Sequence, residues 1–292
     1  EATGTPVHPA PADLEMTRDK LAEASALDDA TIPVAGYRQV DDADDLATAF
    51  EDLGSPLMLK ARFGGYDGRG NAVVETVEEA AEYFGTLDGL VAETLVDFER
   101  ELSVIGVRGA DGLATFPVVE NVHEAEILRE TLAPARTSDA VQEQAEAVAR
   151  AVLEQMDGRG VFGIELFETS DGDILVNEIA PRPHNSGHYT IEGAVTSQFE
   201  QHVRAVLGLP LGETTLRDPT AMVNLLGTGQ ESRPAQLSGV ETSLSTYGAH
   251  FHWYGKRDVR PLRKMGHVTA SGADLSRARE TATAARDAID FE

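Results

Sequence analysis

Apolar and polar positions alternate along this chain in two rhythms, and the switches between them mark out its elements. Residues 13–26 carry Leu14, Leu21 and Ala24 near one helical face, with Asp13 placed to cap the start. Residues 31–37 read as a short strand and 42–53 as an acidic amphipathic helix. Residues 56–61 form a strand that runs into a Gly-rich loop at 64–70 and resumes at 72–75, so the loop is a hairpin tip. A helix at 77–84 and a strand at 90–95 follow. Leu102, Val104 and Ile105 mark a strand over 101–108, and Asp111-Gly112 a turn before a strand at 115–119. Residues 139–155 form a long helix. Strands at 163–168 and 174–179 are joined by the turn Ser170-Asp171-Gly172-Asp173. A helix over 197–207 is closed by Gly208. Beyond Pro210 the pattern becomes short strands at 222–226, 250–254 and 267–270, with a last helix from Asp274. The reading is an α+β core followed by a small C-terminal mixed α/β unit from about residue 208.

Charge narrows the class. Fifty Asp and Glu face 24 Lys and Arg, for a formal net charge of −26 over 292 residues. Nucleic acid and anionic membrane would both be repelled, so neither is expected as a partner. The acids are scattered rather than gathered in a tail, which fits adaptation to high salt, where ions screen self-repulsion. There is no cysteine, which excludes disulfides, thiol catalysis and cysteine-ligated zinc. No apolar stretch is long enough to span a bilayer. The first dozen residues, rich in Pro and Ala and lacking an initiator Met, read as a linker in a piece of a longer protein, and a cytoplasmic location is expected.

Four constellations carry candidate chemistry. Lys60 precedes Gly64-Gly65-Tyr66-Asp67-Gly68-Arg69-Gly70, in which four glycines in seven residues exceed what a turn needs. Glycines let backbone N–H groups approach phosphate oxygens, and Lys60 and Arg69 add positive charge; the G-K-[ST] ending of a Walker loop is absent. Glu165 on one strand and Asn177-Glu178 on the next converge on one face if the strands pair, a hard-oxygen set suited to Mg²⁺ with substrate phosphates. Arg182-Pro183-His184-Asn185-Ser186-Gly187-His188 follows that strand as a dense polar loop. Last, His252-Trp253-Tyr254-Gly255-Lys256 leads into Arg257, Arg260, Arg263 and Lys264, five cations in nine positions of an acidic protein. That contrast in sign points to an anion site such as a substrate phosphate.

The runs G-G-Y-D-G-R-G, N-E-I-A-P-R-P-H-N-S-G-H and H-W-Y-G-K…R-P-L-R-K-M-G-H, in this order, resemble the 5-(carboxyamino)imidazole ribonucleotide synthetase family, ATP-grasp enzymes of purine biosynthesis. The resemblance runs from Asp13 through nearly the whole chain. It implies a linker over 1–12, an ATP-grasp domain over 13–207 with a lid at about 31–92, and a small C-terminal domain over 208–292. The family's N-terminal Rossmann-like domain is not found, and the chain alone is expected to be incomplete as a catalyst.

By resemblance, Lys20 and Lys60 contact ATP. Gly65, Tyr66, Asp67, Gly68, Arg69, Gly70 and Asn71 belong to the loop that closes over phosphates and bicarbonate. Glu93, Thr94, Leu95 and Val96 form the adenine hinge, which reads Glu-Thr-Leu-Val where relatives often carry Lys-Phe in the middle. Glu101 meets the ribose and His123 the nucleotide site. Glu165 and Glu178 bind Mg²⁺, with Mn²⁺ as the alternative, and Asn177 lies beside them. His184 and Asn185 lie at the carboxyl-transfer centre with Lys60, Tyr66, Asp67 and Arg69 as catalytic groups. Lys256, Arg260, Arg263 and Lys264 bind the ribonucleotide phosphate. The implied reaction is ATP-dependent carboxylation of 5-aminoimidazole ribonucleotide by bicarbonate through carboxyphosphate, in a homodimer. The rivals are another ATP-grasp carboxylase or formyl-transferring ligase, or a noncatalytic nucleotide-binding module.

Overall fold

The computed structural model describes residues 4–65 and 70–291. The chain opens with α1 (Pro11–Arg18) and α2 (Lys20–Asp29). It continues through β1 (Tyr37–Val40), α3 (Ala43–Leu53), β2 (Leu57–Ala61), β3 (Asn71–Val74), α4 (Val77–Phe84) and β4 (Leu90–Thr94). Next come β5 (Phe98–Arg108), β6 (Leu113–Thr115), β7 (Val119–Glu124), β8 (Ile127–Ala133), α5 (Asp139–Gln155), β9 (Gly160–Thr169) and β10 (Ile174–Ala180). A 3₁₀ turn at Asn185–Gly187 leads to α6 (Thr190–Gly193), α7 (Gln198–Val206) and β11 (Thr220–Leu226). The remainder is β12 (Arg233–Pro234), β13 (Leu237–Ser238), α8 (Val240–Leu244), β14 (Ala249–Trp253), β15 (Asp258–Val259), β16 (Lys264–Ser271), α9 (Leu275–Asp287) and β17 (Asp290–Phe291).

Among the described residues two sheets position the site. A small antiparallel sheet has the order β1-β4-β2-β3. Leu46, Ala49 and Ala80 from α3 and α4 close one face of it over Leu57, Leu59, Leu90 and Ala92. Both helices start on side-chain caps, Asp42 accepting from Asp44 and Asp45, and Thr76 from Glu79. The sheet's other face carries Lys60 and Glu93. The large sheet runs β10-β9-β5-β7-β8-β11-β16-β14, with β6 beside β5. α5 packs Val148, Ala149, Val152 and Leu153 onto Leu102, Val104, Phe162 and Ile164, and α9 covers Val223, Val268 and Ala270 farther along. β11 pairs directly with β8, so the strands beyond residue 208 continue the sheet that the earlier strands began.

Three expectations are corrected. The first helix is two helices, broken at Asp19, whose extended backbone (φ −110°, ψ 108°) lets its carboxylate cap Leu21 and pair with Arg62. Its core-facing residue in α1 is not Leu14, which is exposed, but Asp13. The Asp13 carboxylate turns back onto the Ala10 N–H and reaches the N–H groups of Asp157 and Gly158. Residues 31–37 form no regular strand: Val34 makes one parallel bridge to Val176, and ladder pairing starts at Tyr37. Pro33, which has no N–H, lies in that stretch. Finally, the strand expected at 115–119 is split: β6 ends at Thr115, and β7, which pairs with β8, begins at Val119. β7 shows no two-residue rhythm because its polar residues are buried too: Glu120 pairs with Arg136, and the Asn121 oxygen accepts from Thr131.

Candidate active site

The hairpin of β9 and β10 builds the centre of the site. Ile174 and Val176 face the core, and simple alternation would put residue 178 there too. A bulge at Asn177 shifts the register, so Ile179 takes the next core position and Glu178 pairs opposite Glu165. The extra residue thus puts a cross-strand pair of carboxylates, with the Asn177 amide beside it, on the side away from the α5 core. Burial, with the neighbouring Glu178 charge adding to it, pushes Glu165 up to about 7. Glu178 is also penalised by burial, but Lys20 outweighs that and holds it below the usual carboxylate range.

Two lysines reach this pair from different elements. Lys20, presented by the break at Asp19, binds Glu178 Oε2 at 2.6 Å. Burial alone would lower its ammonium, yet Glu23 and Glu178 hold it above its ordinary value. Lys60, on the inner face of the small sheet, binds Glu93 Oε2 at 2.6 Å and Asn177 Oδ1 at 3.3 Å. Lys60 therefore bridges the two sheets. Below them, burial and the Glu178 charge push Glu23 up to about 8. One of its oxygens accepts the Ile179 N–H at 3.1 Å, and the other has no hydrogen-bond partner among the described residues. A cleft between Lys20, Ala24, Leu27, Val34, Ala35 and Glu93 opens beside Asn177. Glu101 on β5 and His123 on β7 form an ion pair, which raises the His123 imidazole despite its burial.

Buried amides hold the polar loop after β10. Gln198 accepts the His184 N–H at 2.9 Å and donates to the His184 carbonyl at 2.7 Å, as a neighbouring strand would. The same amide nitrogen donates to His188 Nδ1 at 3.0 Å, which places the His188 proton on Nε2. His184 Nε2 lies 3.6 Å from Glu165 Oε1, and burial with the nearby Arg182 charge lowers its imidazole to about 3. Gly163 on β9 makes this approach possible, since a Cβ there would lie 2.5 Å from His184 Cβ. The Asn185 side chain pairs with Asn224 of β11.

The structure brings together Lys20, Lys60, Glu93, Asn177, Glu165, Glu178 and His184, and pairs Glu101 with His123. Thr94 closes β4, with Leu95 exposed beyond it and Val96 half-buried. Gly65 opens the loop. Gly70 and Asn71 start its return, Asn71 opposite Lys60 in the register. Tyr66, Asp67, Gly68 and Arg69 lie outside the described residues. The C-terminal cations divide. Lys264 acts electrostatically on Glu165, His123, His184 and His188, which places it at the centre. Lys256 donates to the Lys264 carbonyl and packs over Tyr254. Arg263 donates to the Asp258 carbonyl, and Arg260 is exposed. Sequence reasoning missed Glu23, Gln198 and Asn224, which belong to no motif: Gln198 sits on the amphipathic α7, and Asn224 on β11, which is buried throughout. It also missed Arg62, although its pairing with Asp19 ties the base of the Gly-rich loop to α2.

Residues 25–199 match the ATP-grasp domain, and 220–281 match the phosphoribosylaminoimidazole carboxylase C-terminal domain. The chain is 42% identical over 280 residues to the N5-carboxyaminoimidazole ribonucleotide synthase of Vibrio cholerae, covering 92% of this chain and 71% of that protein. It belongs to the N5-carboxyaminoimidazole ribonucleotide synthase family. The Bacillus subtilis member is 40% identical over 259 residues, 88% of this chain and 67% of that one. Among solved structures, the synthetase from Thermotoga maritima superposes with a TM-score of 0.87 at 41% identity, covering 99% of this chain and 76% of that chain. A synthase from Aspergillus clavatus in complex with ADP and 5-aminoimidazole ribonucleotide gives 0.89 at 35% identity, over 98% and 77%. As a synthase of this family the protein is an ATP-dependent ligase with an ATP-grasp fold.

Proposed function

We propose that this protein carboxylates the exocyclic amine of 5-aminoimidazole ribonucleotide with bicarbonate at the expense of ATP, in purine biosynthesis. The observation that carries the reading is the Glu165–Glu178 pair, flanked by Lys20 and Lys60, within this family's fold. Bicarbonate is a poor electrophile. One of its oxygens attacks the γ-phosphorus of ATP as the bond to the ADP oxygen breaks, giving ADP and carboxyphosphate. The amine lone pair then forms the C–N bond, either to carboxyphosphate or to CO₂ released from it. Phosphate departs with the C–O bonding pair, and the amine loses a proton.

The residues present fit a divalent cation. Among the described residues no cluster of three or more His, Asp or Glu forms a complete cage. Mg²⁺, with Mn²⁺ as the alternative, commonly takes one or two carboxylates and completes its shell with substrate phosphates and water. Glu165 and Glu178 would hold it, with Asn177 adjacent, and an opposite charge there would relieve their mutual repulsion. When bound, the ion would supply charge neutralisation for the transferring phosphoryl group.

The chain's own groups do the rest. Lys20 orients Glu178, and Lys60 lies where it can exchange Glu93 and Asn177 for a phosphate oxygen. Glu93, Thr94, Leu95 and Val96 border the adenine cleft, with Glu101 and His123 at the ribose end. Gly65 to Asn71 close over the phosphates and exclude the water that would hydrolyse carboxyphosphate. Within that loop Tyr66, Asp67 and Arg69 act as catalytic groups. His184 and Asn185 face the acceptor amine, and Lys256, Arg260, Arg263 and Lys264 supply positive charge for the ribonucleotide. The domain limits at about residue 208, a homodimer, a cytoplasmic location and adaptation to high salt belong to the same reading.

The test is transfer of label from ¹³C-bicarbonate to the ribonucleotide, coupled to ADP release. Glu178→Gln should abolish ATP turnover and leave the fold intact, because the neutral amide holds a divalent cation poorly. Near-normal turnover would remove Glu178 from the metal site.

A further inference from the structure

Asn224 lies on β11, 1% exposed, and no candidate motif includes it. Its amide nitrogen donates to the backbone carbonyl of Leu128 on β8 at 2.9 Å and to Asn185 Oδ1 at 2.7 Å. Its oxygen accepts from Asn185 Nδ2 at 3.0 Å. These bonds form a chain of necessity. A backbone carbonyl can only accept, so the Asn224 nitrogen must face Leu128. That fixes the Asn224 oxygen toward Asn185, and the reciprocal pairing then fixes the Asn185 amide. Both N–H groups of Asn224 are spent. Asn185, half-buried in the loop after β10, keeps one N–H and one oxygen lone pair for a ligand.

We propose that Asn224 is a positioning residue that relays the polarity of the Leu128 carbonyl to Asn185 and so fixes which edge of the Asn185 amide meets the amine-bearing substrate. This rests on the reading that Asn185 faces the acceptor amine. The spare lone pair of Asn185 can accept an N–H from that amine, and its spare N–H can donate to the carboxylate formed on it. An amide free to flip would present the wrong group half the time and would lose the alignment that the transfer needs. The relay also explains a polar side chain in the interior of β11, whose neighbours on the strand are Val223 and Leu225. A buried amide is costly unless its bonds are made, and here all three are made within the protein.

The experiment is a double-mutant cycle on catalysis with Asn185→Ala, Asn224→Ala and the double variant. Two readouts are taken: kcat/KM for 5-aminoimidazole ribonucleotide, and bicarbonate-dependent ATP hydrolysis without it. Each single variant should lose on the order of tenfold to a hundredfold in kcat/KM, and the double variant no more than the worse single. ATP hydrolysis without the ribonucleotide should stay near wild type in Asn224→Ala. Additive losses, or a neutral Asn224→Ala beside an impaired Asn185→Ala, overturn the relay and leave the reading of Asn185 intact. A neutral Asn185→Ala overturns that reading, and the relay with it. Should Asn224→Ala fail to fold, Asn224→Asp keeps the shape and the acceptor but removes both donors when ionised. Wild-type kcat/KM in folded Asn224→Asp at pH 8 would equally overturn the relay, whereas a loss that eases as the pH falls and the carboxyl gains a donor proton supports it.

Discussion

Lys256, Arg257, Arg260, Arg263 and Lys264 are one basic run in the sequence, yet the fold gives their charges different surroundings. Lys264 begins β16 and acts on Glu165, His123 and His184, while Arg263 stays with the turn carbonyl of Asp258. Two different kinetic signatures are therefore expected. Arg263→Ala should raise the KM for the ribonucleotide and leave that for ATP little changed. A charge-assisted phosphate contact is worth ~1.5–3 kcal/mol, so the rise should be on the order of tenfold to a hundredfold. Lys264→Ala should in addition depress bicarbonate-dependent ATP hydrolysis without the ribonucleotide, because it removes a cation that acts on Glu165 and His184, where phosphoryl transfer is proposed. Steady-state kinetics of both variants, with and without ribonucleotide, decide this. Equal effects on the ribonucleotide KM alone would leave Lys264 an anchor and nothing more.

At the scale of elements, the approach of β9 to the 184–188 loop tightly constrains the site. Gly163→Ala places a methyl group 2.5 Å from His184 Cβ and 2.6 Å from its Cγ. One or the other must move. Overpacking of this kind costs ~1–3 kcal/mol, so the melting temperature should fall by a few degrees and kcat should drop as His184 leaves Glu165. Unchanged melting and kcat would show that the loop yields freely. Much of this architecture was legible in the sequence. Helices α3, α4, α5 and α9 have one polar and one apolar side and start on side-chain caps, and the β9–β10 hairpin announces itself by its turn. The bulge at Asn177 was not legible, since one extra residue in a ladder leaves no mark on composition. Nor was the break at Asp19, where a tertiary pairing with Arg62 overrides a continuous helical pattern. The motif residues Glu165, Glu178 and His184 could be grouped from sequence because they fall near one strand end. Gln198 and Asn224 could not, because their importance lies in partners far along the chain.

For the molecule as a whole, charge and burial set the response to solution conditions. With 50 acids against 24 bases, folding should strengthen with salt, as molar KCl shortens the screening length to ~3 Å. Melting temperatures that fall between low and molar KCl would contradict this. Acid acts through different groups. Burial lowers His188 to about 4 and His267 to about 2. The native state keeps them neutral while the unfolded chain takes up protons below ~6.5. Each therefore contributes stability that is complete above ~6.5 and is lost as the pH falls, at up to ~1.4 kcal/mol per pH unit. Glu23, raised to about 8, works the other way between ~4.5 and 8, because there the native state holds the extra proton. The opposing slopes partly cancel down to ~4.5. Below that only the histidines and the carboxylates with lowered values, such as Asp19 and Glu120, remain, and all lose stability together. In molar KCl, melting followed against pH should fall gently from 6.5 to 5 and steeply below 4.5. A continuous rise toward acid would refute this assignment.

The pairing of β8 with β11 has one more consequence, for any attempt to take the protein apart. The segment that matches the ATP-grasp domain and the segment that matches the C-terminal domain meet along a row of backbone hydrogen bonds, from Thr220 opposite Ala133 to Val223 opposite Glu130. A gene divided between residues 199 and 220 would leave each product with a raw strand edge seeking any other edge it could find. Expressed separately, the halves should clump; expressed together, each offers the other the template it lacks.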